Sequence, residues 1–563
     1  MSNKLSRRRF LRASAFAGAG VVLASCTPST SPTTAPPATQ ATEAGAEGTQ
    51  TPASPSVAPT KPVVEVIIAR GEHPSQPILQ DAPAHLATGQ ATGLKLVFQP
   101  IPSADYAAKS QLWLATGQVP DLMLADVGSI RDYAHPSVLR PIMPLVEQHG
   151  PNLKKYLEAY PEVRKWAING ELYLFPRRCY HWKRNAPMPL IRKDWLDETG
   201  LPLPEDFDQL YEVLSELKKA HPEAVGWTAR GGIKRLLMIA AYPMGSGLGG
   251  WIRGKDTPYY DEAVDGGRWV YGPVHSEFKD VLEYFAKLYK DGLLDPDLPS
   301  TTDDQWHEKN SSNKGFFSMD NISFCVRWNL ALREVDAKAT WLPFPTLRGK
   351  KGRRQNDFGG FQGGWVIGAN CKHPDRVVEL LNWQLSPIGL DTTCWGIEGV
   401  HYSLKGPRPD TIEDYTMEAV GRAMDDKLRE LVPEVYEKYK QKADPFRSFQ
   451  SDTGTGLLDF TVIWDQAITY LWDPPGEADS WYQMTEADPG LHPEVIVPPF
   501  TAEESERLKN ITAEVNAILD PAFDKVVLGQ MSLTDYDKAV QQAIQAGALD
   551  LERIYNEAEA RVG

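Results

Sequence analysis

Apolar and polar positions fall in blocks along this chain, and their period switches between strand-like and helix-like. Val63-Val64-Glu65-Val66-Ile67-Ile68-Ala69 is a β-branched run ending in Arg70-Gly71-Glu72-His73-Pro74, which predicts a buried first strand opening into a loop. Residues 93–98 predict a second strand, and residues 120–126 a third that opens at Asp126. Between them, residues 104–116 read as a helix with Tyr106, Leu112 and Ala115 facing a core. Downstream the pattern predicts a strand at 188–192, helices at 207–219, 277–290 and 374–385, and a glycine-punctuated strand at 359–368. Terminal helices are expected at 501–520 and 532–561. Strands alternating with helices imply an α/β fold built on a largely parallel sheet covered on both faces.

The first 26 residues do not fit that pattern. Arg7-Arg8-Arg9 precede Phe10-Leu11, an apolar run of small residues comes next, and Leu23-Ala24-Ser25-Cys26 closes it. The run is too short to span a bilayer, and the order of features is that of a twin-arginine export signal ending in a lipobox. Cys26 would be acylated and become the mature N-terminus. Residues 27–62 are almost wholly Thr, Pro, Ser, Ala, Gly, Gln and Glu, with no aromatic residue. Such a segment buries too little apolar surface to order itself, and at about 5–6 Å per square root of residue number it forms a stalk on the order of 30–35 Å. The expected location is extracytoplasmic, lipid-anchored at the cell membrane.

About 500 residues remain, too many for one core and natural for two lobes. A formal net charge of −15 argues against nucleic acid as a partner. Cys179, Cys325, Cys371 and Cys394 show no metal-ligand spacing, and the sequence leaves open whether any pair bridges. Residues 245–250 match G-x-G-x-x-G but follow a helical pattern and lack a placed acidic partner, so dinucleotide binding is not expected. Asp295, Asp297, Asp303 and Asp304 lack a calcium-loop spacing and read as a solvated linker. Neither a cofactor nor a metal is expected.

Three stretches resemble the extracellular solute-binding proteins of ABC importers (family 1), in their large lipoprotein branch. They are Tyr106 with Leu114-Ala115-Thr116-Gly117-Gln118-Val119-Pro120-Asp121; Asn169-Gly170-Glu171-Leu172-Tyr173-Leu174-Phe175-Pro176 with Leu190-Ile191-Arg192-Lys193-Asp194-Trp195-Leu196; and Leu282 onward through Tyr289, Gly292, Leu293, Asp295 and Pro296. The resemblance implies a two-lobe periplasmic-binding-protein-like fold of type II, with a hinge and an interlobe ligand cleft. It implies capture of a solute by hinge closure and delivery to ABC permease subunits, by a monomer that is not an enzyme. By analogy, residues 63–185 and 316–358 form an N-terminal lobe, and 186–315 and 359–563 a C-terminal lobe. The chain is expected to cross between lobes near 184–190, 315–321 and 356–364.

A carbohydrate ligand, an oligosaccharide above all, needs flat apolar faces and planar polar groups, and the chain carries 16 Trp and 21 Tyr. Trp182, Trp251, Trp365 and Trp395 lie in loop-like or glycine-rich settings and are the stacking candidates. Glu72, Asp126, Arg178, Asp320, Asn321 and Glu398 follow strand-like runs, whose carboxyl ends open toward a cleft, and are the polar candidates. Arg177, Arg178, Lys183 and Arg184 form a basic cluster that would meet a uronate or else a solvated face. Two other readings share these residues: a lipid-anchored glycoside hydrolase acting through carboxylates such as Asp320 and Glu398, and a sugar-sensing receptor without transport.

Overall fold

The computed structural model describes residues 61–562, apart from 180–185, 250–256, 265, 358–360, 411–427, 443, 457–460, 465–467, 469–479, 482–483, 486 and 494. The signal peptide, Cys26 and nearly all of the stalk lie outside the described residues. Lys61 and Pro62 are tied to the folded body: Lys61 pairs with Glu379 at 2.5 Å, and Arg376 donates to the Pro62 carbonyl at 3.1 Å.

In chain order the first lobe opens with β1 (Val64–Glu72), α1 (Pro83–Thr92), β2 (Leu94–Pro102), α2 (Ser103–Thr116), β3 (Leu122–Ala125) and β4 (Leu174–Cys179). The chain then enters β5 (Pro187–Arg192), α3 (Phe207–Ala220), β6 (Val225–Thr228), α4 (Gly232–Met244) and α5 (Ser276–Lys290). Next come α6 (Asp303–Ser311), β7 (Gly315–Asn321), α7 (Ser323–Arg333), β8 (Trp341–Pro343), β9 (Gln355–Asp357) and β10 (Phe361–Ile367). The rest comprises α8 (Pro374–Gln384), α9 (Pro387–Trp395), α10 (Pro445–Thr453), β11 (Ile463–Trp464), β12 (Leu491–Pro493), α11 (Ala502–Val527), α12 (Leu533–Gln545) and α13 (Ala548–Ala560).

Two main sheets result. The first has the order β11-β4-β10-β3-β1-β2, and the second β8-β5-β7-β6. Both are mixed rather than largely parallel. β10 runs antiparallel between β3 and β4, and β5 is antiparallel to both β7 and β8. Each sheet has its own apolar core. Val66, Phe98, Phe175, Trp365 and Trp395 belong to the first, while Trp227, Phe285, Phe317 and the buried faces of α11 to α13 belong to the second.

The division between lobes therefore differs from the expected one. Strand β7 and the chain as far as β8 build the second sheet, whereas the chain from β10 to β11 returns to the first. Residues 316–358 and 359–464 thus exchange places with the expected assignment. The Asp320-Asn321 end of β7 looks polar enough to be a crossing, yet it is a strand end inside one lobe. The chain passes between sheets from β4 to β5, from β9 to β10, and from β11 to β12. Two of these crossings lie side by side, because β9 and β12 pair in parallel. Gln355 fastens the third to them by donating to the Pro187 carbonyl at 3.1 Å. A bundle of adjacent crossings is the mechanical form of a hinge.

Local chemistry explains most elements. Helix α5 buries Phe278, Val281, Leu282, Phe285 and Leu288, the face its periodicity predicts. Helix α2 turns differently from expectation: Ser110, Trp113 and Leu114 are buried, whereas Leu112 is 53% exposed. The expected terminal helix over 532–561 breaks into α12 and α13 at Gly547, whose φ of 99° suits a residue without Cβ.

Candidate functional site

Topology fixes which ends of the two sheets face each other. Strand β4 leaves the first sheet at Cys179 and β5 enters the second at Pro187, a short step later in the chain. The first-sheet edge at that end comprises the ends of β1 (Glu72), β3 (Ala125, then Asp126) and β4 (Arg178), with Phe361 opposite Arg178. In the second sheet Pro187 lies opposite Asn321, so that edge carries Asp320, Asn321 and the Arg230 that follows β6. Glu72, Asp126, Arg178, Asp320 and Asn321, chosen from sequence, thus gather at the joined ends.

Their environments differ. Glu72 is half-buried and accepts from the Ile78 amide at 2.8 Å. Asp126 is exposed and caps the short helix Val127–Ile130 by accepting from the Ser129 amide at 2.8 Å. Arg178 lies on the ring of Tyr160, its carbon 4.2 Å from the centroid, and donates to the phenolic oxygen. Tyr160 in turn meets Phe361 edge-on at 5.5 Å, and Trp166 meets Phe361 at 6.0 Å. On the facing edge, Asp320 is buried and accepts from Arg230 at 2.9 and 3.2 Å. The same guanidinium reaches Asp303 at 2.8 Å and lies against the rings of Trp306 and Phe324, at 5.0 and 4.9 Å, which themselves meet edge-on. Asn321 accepts from the Ser323 amide at 2.8 Å.

The lobes also touch directly. Arg327 of α7 meets Asp444, the cap of α10, at 3.0 Å, and Lys165 meets Glu559 of α13 at 2.5 Å. The Arg131 guanidinium lies 5.3 Å from the Phe500 ring.

This chain matches the profile of the bacterial extracellular solute-binding proteins over residues 76–389. It belongs to that family. Solute-binding relatives include the lipoprotein LipO of Bacillus subtilis (strain 168), 25% identical over 58% of this chain and 64% of that protein. The fructooligosaccharide ABC transporter substrate-binding protein FusA of Streptococcus pneumoniae (serotype 4) is 24% identical over 53% of this chain and 56% of that one. The chain therefore spans less than two thirds of either of these relatives. The polygalacturonan/rhamnogalacturonan-binding protein YtcQ of B. subtilis (strain 168) is 23% identical over 81% and 84%. Among solved structures, the alginate-binding protein AlgQ2 has a TM-score of 0.66 at 20% identity, over 90% of this chain and 99% of that one. A solute-binding protein from Bifidobacterium longum infantis has a TM-score of 0.65 at 17% identity, over 89% and 98%. The two-lobe solute-binding fold is thereby established.

Several site expectations need correction. Trp365 and Trp395 are core residues of the first lobe, both with 0% exposure. Trp365 lies on a strand between two neighbours, and its indole N–H donates to the Thr461 carbonyl at 3.1 Å. The glycines before it, which suggest an open loop, serve close packing: a Cβ on Gly364 would stand 2.2 Å from the Phe175 carbonyl oxygen. Glu398 belongs to a network of the first lobe, meeting Arg408 at 2.6 Å, which also holds the buried Asp391 at 2.7 Å. Asp295 is fully buried, gripped by Lys309 at 2.7 Å, and is no solvated linker residue. Arg177 is buried too and donates to the Thr461 carbonyl at 3.0 Å, so that part of the basic cluster is not a solvated face. Trp182, Trp251, Lys183 and Arg184 lie outside the described residues, as does the Cys179 side chain. Cys371 and Cys394 lie in the first-lobe core, Cys325 in another.

Sequence reasoning also missed residues at the joined ends. Arg230 follows a strand, and the rule that selected Asp126 would have found it. Tyr160, Trp166 and Phe361 converge from separate elements and leave no local mark.

Proposed function

We propose that this protein captures an oligosaccharide between its two lobes, outside the cytoplasm, and delivers it to the permease of an ABC importer. Family membership supports capture of a solute. The observation that carries the sugar reading is the pairing at the joined ends: an aromatic group of Tyr160, Trp166 and Phe361 backs Arg178, opposite an edge that carries Asn321. Flat apolar faces beside planar hydrogen-bonding groups suit pyranose rings. The ligands printed in the names of FusA and YtcQ are carbohydrates and point the same way.

The chain acts as a monomer, anchored through lipid on Cys26 after twin-arginine export, with residues 27–62 as its tether. Crossings bundled at β9, β12 and β5 permit the lobes to close on the ligand, and contacts made only in the closed form set affinity. A hydrolase is not favoured, since Asp320 is held by Arg230 and Glu398 by Arg408 in another part of the molecule. The test is calorimetry with a panel of oligosaccharides, followed by chromatography of the recovered sugar. Tight binding with intact sugar is expected; cleaved products would show an enzyme. Loss of uptake on deletion of the protein separates transport from sensing.

A further inference from the structure

Ion pairs bridge the two lobes at unequal distances from the hinge. The three crossings join the first sheet at β4, β10 and β11, which are neighbours in its order, whereas β1 and β2 form the opposite half. Asp444 stands on that opposite half. It caps α10, accepting from the Arg447 amide at 3.1 Å. Helix α10 packs against α1, and its Ser451 donates to the Pro77 carbonyl, shortly after β1, at 2.6 Å. Burial, then Arg447 and Arg327, hold His73 below the ordinary imidazole range, so these charges gather at the β1 end. Arg327 reaches Asp444 from α7 of the second lobe at 3.0 Å. Asn329 steadies α7 by bonding both backbone groups of Trp341. By contrast Lys165, which meets Glu559 at 2.5 Å, is the neighbour of Trp166, whose ring meets Phe361 where the crossing from β9 arrives.

The gap between two hinged bodies widens with distance from the pivot, so Arg327 and Asp444 part further on opening than Lys165 and Glu559. They also part cheaply. Without Arg327, Asp444 still caps α10 and faces the Arg447 guanidinium at 3.7 Å. Arg327, with 39% side-chain exposure, is already within reach of water. Opening therefore leaves neither partner buried and unpaired. The Arg230–Asp320 pair, at 14% and 2% exposure inside one lobe, has no such freedom.

We propose that Arg327 and Asp444 form a clasp on the side of the cleft away from the hinge, an ion pair made when the lobes are together that raises affinity for a solute neither residue touches. The clasp rests on the capture reading and adds a contact that holds the closed form. A bias on closure requires an interaction present in one state and absent in the other, and this pair supplies it. With Arg327 partly exposed its share is modest, about two- to fivefold in affinity, and falls on the dissociation rate because the pair forms after the solute has entered.

The test is calorimetric and stopped-flow titration of the full chain with fructo-oligosaccharides and oligogalacturonates. For whichever sugar binds, Arg327→Gln and Asp444→Asn should each weaken binding about two- to fivefold through faster release, the asparagine keeping a capping oxygen. Arg327→Lys, which retains the charge, should stay near the unaltered protein. Combined, Arg327→Gln and Asp444→Asn should lose no more than the worse single variant, because one interaction is removed only once. Lys165→Gln should cost less than either. Single variants that bind and release sugar like the unaltered chain would overturn the clasp, as would losses that simply add or an equal loss from Lys165→Gln. If none of these sugars binds, the capture reading fails and X-ray scattering decides the clasp by itself. Arg327→Glu should then enlarge the radius of gyration of the sugar-free chain, and an unchanged radius would overturn the proposal.

Discussion

The two facing sheet edges use the same residue type in opposite ways. On the first lobe, Glu72 and Asp126 accept from backbone amides close by in sequence, and Asp126 stays exposed. On the second, Asp320 is 1% exposed and locked to Arg230, itself packed against Trp306 and Phe324. A carboxylate satisfied by local amides keeps lone pairs for an incoming ligand. One buried against a guanidinium is part of the lobe's framework and cannot leave it cheaply. The first edge is therefore the adaptable wall and the second the rigid one.

The largest effect is expected in the apolar core of the first lobe, to which Trp395 belongs. Trp395→Ala should lower stability by about 3–5 kcal/mol by opening a cavity in the first-lobe core, seen in urea or thermal unfolding. A near-native melt with weakened sugar binding would instead return Trp395 to the ligand surface. Asp320→Ala should cost about 3 kcal/mol, since it leaves Arg230 buried against one remaining carboxylate. A loss below ~1 kcal/mol would mean the second edge is no more rigid than the first.

The contrast also has a pH signature. His307 accepts from the Trp328 indole at 3.2 Å, and its pKa of about 4 lies below the ordinary value of about 6.5. Between those values the unfolded chain binds a proton that the folded one does not, so stability falls as pH drops from about 6.5 to 4. His307→Gln, which keeps an acceptor, should flatten that part of the stability curve. An unchanged slope would show that the ring is already protonated in the fold. The smallest effect belongs to Asp126→Ala, with about 1 kcal/mol from the lost cap and a disproportionate loss of ligand affinity. If stability and affinity fall together, Asp126 serves only the helix.

The fold is legible wherever burial imposes a period. The β-branched run of β1, the apolar stripe of α5 and the strand before Asp126 appear where the pattern puts them. The pattern misleads where two elements share the burial. Trp365 comes after two glycines that mimic a loop, yet β10 is enclosed by β3 and β4 and uses Gly364 for close approach. Spacing puts Leu112 on the core face of α2, but the helix packs through Trp113 and Leu114, about one position further round. The site is legible only in the half that follows strands directly. Arg327 and Arg447 lie far apart in the chain and meet at Asp444 solely through the hinge, so no window along the sequence could pair them.

The central claim is closure of one lobe upon the other around a sugar. Small-angle X-ray scattering of the protein with and without a saturating oligosaccharide, taken from the calorimetric panel, tests it most directly. The account predicts a smaller radius of gyration in the sugar-bound protein. An unchanged radius with sugar demonstrably bound would contradict it.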